Sequence, residues 1–200
     1  GAGQVTVLPK RTLTAVMSEP YQDAFRNATG IWFGGGRQWR FVDAYSETPI
    51  VELMHDVLRR GGVTMGSSAG ASIQAEYMVR GNPLGNQEMM AEGYEQGFGF
   101  LRGVAIDQHF TGRNRFADMS SLMQRFPQLL GIGIDGGTAI IVEGSKANII
   151  GKGSVHFYDA DAHSPDDERD YQSVKAGGSY DLRERRILSN PESSPASDSP

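Results

Sequence analysis

Residues 61–71 constrain the fold more than any other part of the chain. They read Gly-Gly-Val-Thr-Met-Gly-Ser-Ser-Ala-Gly-Ala, and the apolar and β-branched residues 63–65, running up to Gly66, predict the end of a short buried strand. A turn of small residues follows, and a stretch compatible with a helix begins at Ala69. A strand that passes through a sharp turn into a helix indicates an α/β fold.

The same segment carries a candidate nucleophile. Residues 66–70 match the pattern Gly-x-Ser-x-Gly with Ser68 at its centre. On a strand-to-helix turn this pattern is typical of a nucleophile elbow, whose strained backbone exposes the serine hydroxyl. Flanking glycines are expected because a Cβ would collide with the neighbouring strand or helix, and the amide of Ala69 is placed to stabilise an oxyanion. The alternative is a plain Gly/Ser turn, since the chain has 26 glycines.

Length and composition exclude several classes of protein. Two hundred residues suit one domain with a full core. The net charge of −5 argues against nonspecific binding to nucleic acid or to an anionic membrane. No apolar run is long enough to span a bilayer, and the start of the chain does not resemble a signal peptide. The sequence has no cysteine, which removes disulfides and thiolate chemistry and favours a cytoplasmic location over a secreted one.

Strand and helix patterns alternate along the chain, which predicts a doubly wound, mostly parallel α/β sheet with sites at the carboxyl ends of the strands. The predicted helices are 18–30, 49–60, the stretch from 69 onward, and 114–125. The predicted strands are 5–8, 31–33, 63–66, 104–107 and 130–135, followed by short antiparallel strands at 138–143, 148–150 and 154–158. We expect one domain over 1–159 with a long loop at 81–103, a polar extension over 160–188, and a disordered tail over 189–200.

A serine nucleophile needs a base, which is usually a histidine. His55 is predicted on a helix far from a carboxyl strand end, as a solvated residue. His156 lies inside a predicted strand, and His163 begins the polar extension. His109 directly follows a predicted buried strand, so the parallel sheet would place it at the edge where Ser68 emerges. His109 is therefore the predicted base, with a capping or core histidine as the alternative.

The remaining roles at such a site have more than one candidate. Residues 34–36 are three glycines after a strand, which either present backbone amides to the oxyanion or form a flexible turn. Asp135 ends its predicted strand at the appropriate edge and could orient His109. Asp107 lies two residues from His109 and could also serve, and either carboxylate could instead hold loop amides. The sequence has no His-x-x-x-His motif, no set of acidic residues at the spacing of metal ligands, and no Gly-x-Gly-x-x-Gly motif at the start of a helix. Neither a metal nor an organic cofactor is therefore predicted.

Four segments together are similar to the dipeptidase E and cyanophycinase family of serine peptidases. They are Trp32-Phe-Gly-Gly-Gly-Arg-Gln38, Met65-Gly-Ser-Ser-Ala-Gly-Ala-Ser72, Ile106-Asp-Gln-His-Phe110 with Arg113 and Arg115, and Gly131-Ile-Gly-Ile-Asp135 followed by Thr138-Ala-Ile-Ile-Val142. The resemblance covers roughly residues 5–159, and the order and spacing of four motifs make it far more specific than any one alone. Gln38 and the run Asp107-Gln-His-Phe bring it closer to the cyanophycinase branch.

The resemblance implies a flavodoxin-like sheet of the class I glutamine amidotransferase kind. It also implies exopeptidase activity at aspartyl linkages, in the cyanophycinase branch at β-aspartyl-arginine units, so a small peptide is the expected partner. Ser68 takes the position of the nucleophile, His109 that of the base, and Gly36 and Ala69 the oxyanion-hole region. The positions that shape the substrate pocket are occupied by Gln38, Asp107, Gln108, Arg113 and Arg115. Family relatives often pair, which leaves a homodimer open.

The chain departs from the family pattern in three ways. Gly136 stands where the family has the acid of the triad, and losing that role costs on the order of 10⁴-fold in serine-protease templates. Arg37 stands where the family usually has an acid, which reverses the local charge. The family also has roughly two further strand–helix units before the segment that begins here.

These departures leave a second function open, that of a catalytically impaired relative that binds peptides or acts as a scaffold. A third interpretation, an unrelated α/β-hydrolase esterase that uses His163, is disfavoured because His163 lies in a polar stretch and not at a strand end.

Overall fold

The computed structural model describes residues 1–8, 12–161 and 169–191. The chain divides into two compact units, Gly1–Ile106 and Asp107–Pro200. Each unit contains both helices and strands, so the fold class is mixed α/β, as the sequence predicts. Across the described ranges, every helix is too short or too polar to cross a membrane.

The first unit contains two pairs of parallel strands and a set of short helices. The helices are α1 (Leu13–Val16), α2 (Glu19–Arg26), α3 (Trp39–Tyr45), α4 (Pro49–Arg59) and α5 (Ala69–Ser72). The strands are β1 (Gly30–Phe33), β2 (Val63–Gly66), β3 (Ala75–Tyr77) and β4 (Leu101–Gln108), the last of which runs on into the second unit. β1 pairs in parallel with β2 in the register Phe33↔Gly66, and β3 pairs in parallel with β4.

Helix α4 shows how the local sequence sets an element that supports the site. The Thr48 hydroxyl accepts a hydrogen bond from the Ile50 amide, and Pro49 occupies the first helical position. Ile50, Met54 and Val57 recur at helical spacing and are almost fully buried. They join a core that also holds Phe25, Phe33 and Phe98. The helix therefore fixes the start of β2, which leads to Ser68.

The second unit is mostly antiparallel. After a 3-10 turn at Thr111–Arg113 it contains α6 (Phe116–Arg125), β5 (Leu130–Ile134), β6 (Thr138–Glu143), β7 (Lys146–Gly151), β8 (Ser154–Tyr158), β9 (Gln172–Lys175), β10 (Ser179–Asp181) and β11 (Arg186–Ser189). β5, β8 and β9 pair antiparallel in that order. β6, β7, β10 and β11 form a second antiparallel set, and the rings of Phe157 and Tyr180 stack 3.8 Å apart.

The structure differs from the sequence-based prediction in several elements. Residues 5–8 are not a strand, because Val5 and Val7 are exposed and their backbone pairs with no strand in the described chain. β4 begins at Leu101, inside the predicted loop. The unpredicted elements are α1, α3, β3 and the strands β9–β11. The last three are short and partly polar, and they exist through pairing of β9 with β8, of β10 with β7 and of β11 with β10, which no local pattern reports.

Two expectations fall partly or wholly on residues that the structure does not describe. His163 lies outside the described residues, as does most of the tail that was predicted to be disordered, residues 192–200. Residues 172–188 of the predicted polar extension contain β9, β10 and most of β11, and β11 ends at Ser189, the first residue of the tail predicted to be disordered.

Candidate active site

Ser68 occupies a strained turn between β2 and α5. Its backbone has φ +56° and ψ −118°, and Ser68 is the residue that precedes the first turn of α5. A non-glycine residue rarely adopts such a positive φ, and the strain persists only where the surroundings fix the backbone. This is the backbone geometry that the motif predicts for a nucleophile elbow.

The glycines around Ser68 allow the strand and the helix to approach so closely. A Cβ on Gly66 would overlap the carbonyl group of Gly70, and a Cβ on Gly70 would overlap the carbonyl group of Phe33 at the end of β1. The Ser67 amide also donates to the Phe33 oxygen at 3.1 Å. The elbow is therefore held mainly by backbone packing against β1.

The three-glycine loop after β1 runs beside the elbow. A Cβ on Gly35 would lie 3.6 Å from the Cβ of Ser68, and Gly36 has φ +136°, which favours glycine. Ala69 begins α5, and the first N–H groups of a helix lack partners within it. The first unit thus brings Ser68, Ala69 and the glycine loop together, as an oxyanion site requires. The roles of Gly36 and Ala69 in holding an oxyanion stay predictions.

The residues that follow the glycine loop anchor the long segment between β3 and β4. Gln38 is 2% exposed, and its Nε2 donates to the Val79 carbonyl at 2.7 Å. The Nη2 of Arg37 donates to the carbonyls of Asn82 and Gly85 at 2.5 and 2.7 Å. Arg37 therefore cross-links two loops in place of the family's acid. A contact between Gln38 and substrate stays a prediction.

Arg80 organises the same segment, and no sequence pattern predicts this role. It is 2% exposed, its φ is +57°, and its Nη1 donates to the carbonyls of Asn86 and Gln87 at 3.1 and 2.9 Å. A buried arginine that holds backbone carbonyls has no characteristic motif, so the sequence carries no signal for it. Its effect is to give a Gly- and Asn-rich loop a fixed path.

His109 begins the turn that follows β4 in the second unit, and its backbone is also strained, with φ +54°. Part of its ring is exposed, but partial burial is the largest cause that lowers its pKa below the ordinary value. The positive charges of Arg113 and Arg115 lower the pKa of His109 further, and the charge of Asp107 opposes them in part. A lowered pKa keeps the imidazole neutral near pH 7, the state that a general base needs.

Asp107 and Arg115 form a buried ion pair next to His109. Their side chains are 0% and 4% exposed, and the Arg115 Nη1 donates to the Asp107 Oδ1 and, at 2.7 Å, to the Gln108 carbonyl. The Asp107 Oδ1 also accepts from the Gln108 amide at 3.0 Å. A carboxylate that already neutralises Arg115 out of contact with solvent favours a structural role over binding a substrate guanidinium. Arg113 is exposed at the end of the 3-10 turn. The substrate contacts expected of these four residues stay predictions.

Asp135 ends β5 and binds backbone amides. One carboxylate oxygen accepts from the Thr111 amide at 3.0 Å, and the other accepts from the Ser154 amide at 3.1 Å. Its Oδ1 lies 3.6 Å from the Nε2 of His156. Burial opposes ionisation, but a hydrogen bond from the Thr111 side chain, the two backbone hydrogen bonds and the charge of His156 outweigh it and lower the pKa of Asp135. These contacts match the loop-holding alternative, and direct orientation of His109 by Asp135 stays a prediction.

Gly136 leaves room for the acid that the family pattern has. A Cβ built on Gly136 would meet no heavy atom within 4 Å, and its φ lies outside the region that favours glycine. The position therefore tolerates the Cβ of a larger residue.

His55 differs from its prediction as a solvated helix residue. It is half-buried, its Nε2 lies 2.8 Å from the Phe98 carbonyl, and its ring packs 4.9 Å from that of Phe100. The segment before β4 covers this face of α4, which the helical pattern alone does not reveal. The described residues contain no cluster of three or more His, Asp or Glu side chains suited to a metal ion.

A strained serine between a strand and a helix, beside glycine backbone, places this chain in the class of α/β proteins with a serine nucleophile elbow. The model of peptidase family S51 matches residues 10–150. The chain therefore belongs to peptidase family S51, a family of serine peptidases.

The relatives agree with this assignment. The chain is 34% identical over 167 residues to a cyanophycinase of Geminocystis herdmanii (strain PCC 6308), covering 82% of this chain and 61% of that protein. It is 32% identical over 164 residues to a cyanophycinase of Trichormus variabilis (strain ATCC 29413 / PCC 7937), covering 80% and 54%. The chain thus spans less than two thirds of the length of these curated relatives.

A solved structure shows the same fold. The crystal structure of a protein described as a peptidase E from Listeria monocytogenes EGD-e matches with a TM-score of 0.51 and 14% identity, covering 65% of this chain and 63% of that chain. At this identity the likeness concerns the fold alone.

Proposed function

We propose that this protein is a serine exopeptidase that hydrolyses aspartyl peptide bonds, with β-aspartyl-arginine units as the substrate class, through an acyl-enzyme on Ser68. The observation that carries the proposal is the strained Ser68 backbone, held by glycines that tolerate no Cβ. Membership of a serine peptidase family and relatives named cyanophycinase support the reaction and the substrate class. A doubly wound, flavodoxin-like sheet belongs to the same proposal.

In the proposed reaction the Ser68 Oγ attacks the scissile carbonyl carbon while the imidazole of His109 accepts the hydroxyl proton. The amides of Gly36 and Ala69 donate hydrogen bonds to the oxyanion. The C–N bond then breaks, and the leaving amine takes the proton from His109. A water molecule, deprotonated by His109, attacks the ester carbon; the bond to the Ser68 Oγ then breaks, His109 returns the proton to that oxygen, and the acid product leaves. The proposal requires that His109 reach the Ser68 hydroxyl.

The substrate roles follow from charge. The exposed guanidinium of Arg113 and the amides of Gln38 and Gln108 suit the free carboxylate of an aspartyl residue. Asp107 and Arg115 neutralise each other in the interior, so we assign them to holding the His109 turn. This division predicts that Arg113→Gln raises KM for an aspartyl peptide more than it lowers kcat.

The adjacent serines provide a matched test of the nucleophile. A fluorophosphonate probe should label the natural chain at Ser68, the Ser67→Ala variant should be labelled at a similar rate, and Ser68→Ala should not be labelled. His109→Ala should slow labelling by at least about a hundredfold. Mass spectrometry of the labelled peptide identifies the site. An unlabelled natural chain that is folded at alkaline pH, or labelling that survives Ser68→Ala, would overturn the proposal.

Gly136 favours a second candidate function, a relative that binds aspartyl peptides without turning them over. The open space at this position suits a direct test, because the Cβ that Gly136→Glu adds meets no heavy atom within 4 Å, and the variant restores the acid that the family resemblance implies. The second function predicts that the natural chain binds the peptide in calorimetry and releases no product, and that Gly136→Glu gains turnover while Gly136→Gln does not. Full turnover by the natural chain ends this second candidate.

A further inference from the structure

The backbone of His109 is strained and needs support from its surroundings. Its φ of +54° is rare for a residue with a side chain, and such strain persists only where neighbouring contacts over-determine it. The next two residues are both tied to the end of β5. The Phe110 amide donates to the Ile134 carbonyl at 3.1 Å, and the Thr111 amide donates to the Asp135 Oδ1 at 3.0 Å.

Asp135 joins this turn to the start of β8. Its second oxygen accepts from the Ser154 amide at 3.1 Å, so one carboxylate holds two backbone segments. Hydrogen bonds to an ionised carboxylate are stronger than those between neutral groups. One carboxylate therefore links the His109 turn to the end of β5 and to the start of β8.

His156, on β8, holds the other side of the same turn. It is 7% exposed, and its Nδ1 lies 2.8 Å from the Ser173 Oγ, while its Nε2 lies 3.2 Å from the Thr111 Oγ1 and 3.6 Å from the Asp135 Oδ1. Both ring nitrogens thus face polar partners, which fixes the plane of the imidazole.

Packing adds to these polar contacts. The ring centroid of His156 lies 5.5 Å from that of Phe110, the residue directly after His109. On its other side the Phe110 ring fills the space beside Gly133, where a Cβ would lie 2.6 Å from the ring. Phe110 therefore packs against both β5 and His156, which ties the residue after His109 to both strands.

We propose that Asp135 and His156 are positioning residues that fix the backbone of His109, so that its imidazole keeps the orientation a general base needs. The inference rests on the proposed function, in which His109 is the base. It differs from a triad role for Asp135, because the groups that hold this carboxylate are Thr111, Ser154 and His156. Neither residue touches the reacting atoms, and both act through the turn.

The test measures how the rate of Ser68 labelling by a fluorophosphonate depends on probe concentration and on pH. Asp135→Asn and His156→Phe should each lower the maximal labelling rate about tenfold or more, since small displacements of a catalytic group are costly. The half-saturating probe concentration and the pH midpoint should stay unchanged. Val174→Ala, a truncation of a buried residue beside Ser173 on β9, is the control for lost stability and should leave the labelling rate within about twofold.

Two outcomes would overturn the inference. One is an unchanged maximal rate in both folded variants. The other is a rate loss in Asp135→Asn together with a lower pH midpoint, because removing a carboxylate that acts on the His109 ring would lower the pKa of His109. If Asp135→Asn does not fold, His156→Phe and Thr111→Val carry the test, since Thr111→Val removes the hydroxyl that binds Asp135 and lies near His156, and keeps the amide that Asp135 also binds.

Hydrogen exchange separates this inference from the proposed function. If the natural chain is not labelled at Ser68, the proposed function fails, and the positioning role is then judged by the exchange rates of the Phe110 and Thr111 amides. Positioning predicts that both amides exchange about tenfold faster in Asp135→Asn and at the natural rate in Val174→Ala. Unchanged exchange in Asp135→Asn would overturn it independently of activity.

Discussion

Ser68 and His109 both have a positive φ, +56° and +54°, which is rare for a residue with a side chain, but the two units support these turns in different ways. At Ser68 the support is backbone packing, in which Gly66 and Gly70 let α5 lie against β1 and β2. At His109 the support comes from side chains, chiefly the Asp107–Arg115 ion pair and the carboxylate of Asp135.

The difference determines which mutations disrupt each turn and whether the sequence reveals it. A backbone-supported turn is sensitive to an added methyl group and is visible as a short local motif. A turn supported by side chains is sensitive to a lost charge or hydrogen bond, and its partners come from distant parts of the sequence.

The largest effect is expected at the Asp107–Arg115 pair. Asp107→Ala leaves the buried Arg115 guanidinium without its counter-charge, which costs about 3–5 kcal/mol in the free energy of unfolding. Urea denaturation measures the loss. Replacing both residues by leucine should recover much of it, because a buried ion pair contributes little over apolar packing of similar volume. A loss below about 1 kcal/mol in Asp107→Ala would show that the charge pair does not support the His109 turn.

The next effect is expected at the elbow. Gly70→Ala places a methyl group against the Phe33 carbonyl, so α5 must move away from β1, and we expect a loss of about 3 kcal/mol, at the upper end for overpacking. Gly34→Ala is the matched control, because its Cβ meets no heavy atom within 4 Å and its φ is not positive. Urea denaturation of both variants makes the comparison. Equal losses would mean that the elbow is not held by close backbone packing.

A smaller effect concerns how stability depends on pH in the second unit. Burial lowers the pKa of His156, although Asp135 opposes this shift, so the folded protein binds this proton less tightly than the unfolded chain does. The stability that depends on neutral His156 is therefore complete above about pH 6.5 and is lost as the pH falls below that value toward the folded pKa. Asp135, whose pKa is also lowered, adds stability that is present above its ordinary pKa and is lost only at more acidic pH.

His156→Phe should therefore flatten the change in unfolding free energy between pH 7 and pH 5. Phenylalanine keeps the contacts with Phe110, Phe116 and Tyr171 and has no titrating group. Some slope remains, because the pKa of His109 is also lowered in the folded state. Urea midpoints at several pH values measure the slope. An unchanged slope would show that His156 binds its proton equally well in the folded and unfolded chain.

The contrast between the two regions also explains what the sequence predicts. The pattern around Ser68 specifies a strand, a turn and a helix within ten residues, and helix α4 begins at Thr48-Pro49, where its capping residues indicate. Each of these elements depends on neighbours in sequence, so composition and periodicity are sufficient to find it.

The supports of His109 are different in kind. Asp107 and Arg115 lie eight positions apart, and Asp135 and His156 lie twenty-one apart, so only the fold brings them into contact. Asp135 is a candidate acid from the sequence because it ends a predicted strand. The hydrogen-bond partners of its carboxylate cannot be assigned without the register of β5 and β8. The strands β9–β11 were missed for the same reason, since long-range pairing and not local propensity forms them.

The smallest effect concerns the electrostatics of the two arginines near His109. The charge of Arg113 is the second largest cause, after burial, of the lowered pKa of His109. Arg113 is exposed, so solvent screens its charge. Arg113→Gln should raise the pKa of His109 and move the acid side of the pH–labelling profile of Ser68 slightly upward. At acidic pH a smaller fraction of the imidazole is then neutral and labelling slows, while the rate on the alkaline plateau stays the same. Arg125→Gln, an exposed charge in the last turn of α6, is the control and should leave the midpoint unmoved. A downward shift in Arg113→Gln would mean that Arg113 does not act on the base through its charge. Arg113 would then support His109 through a contact other than the interaction between their charges.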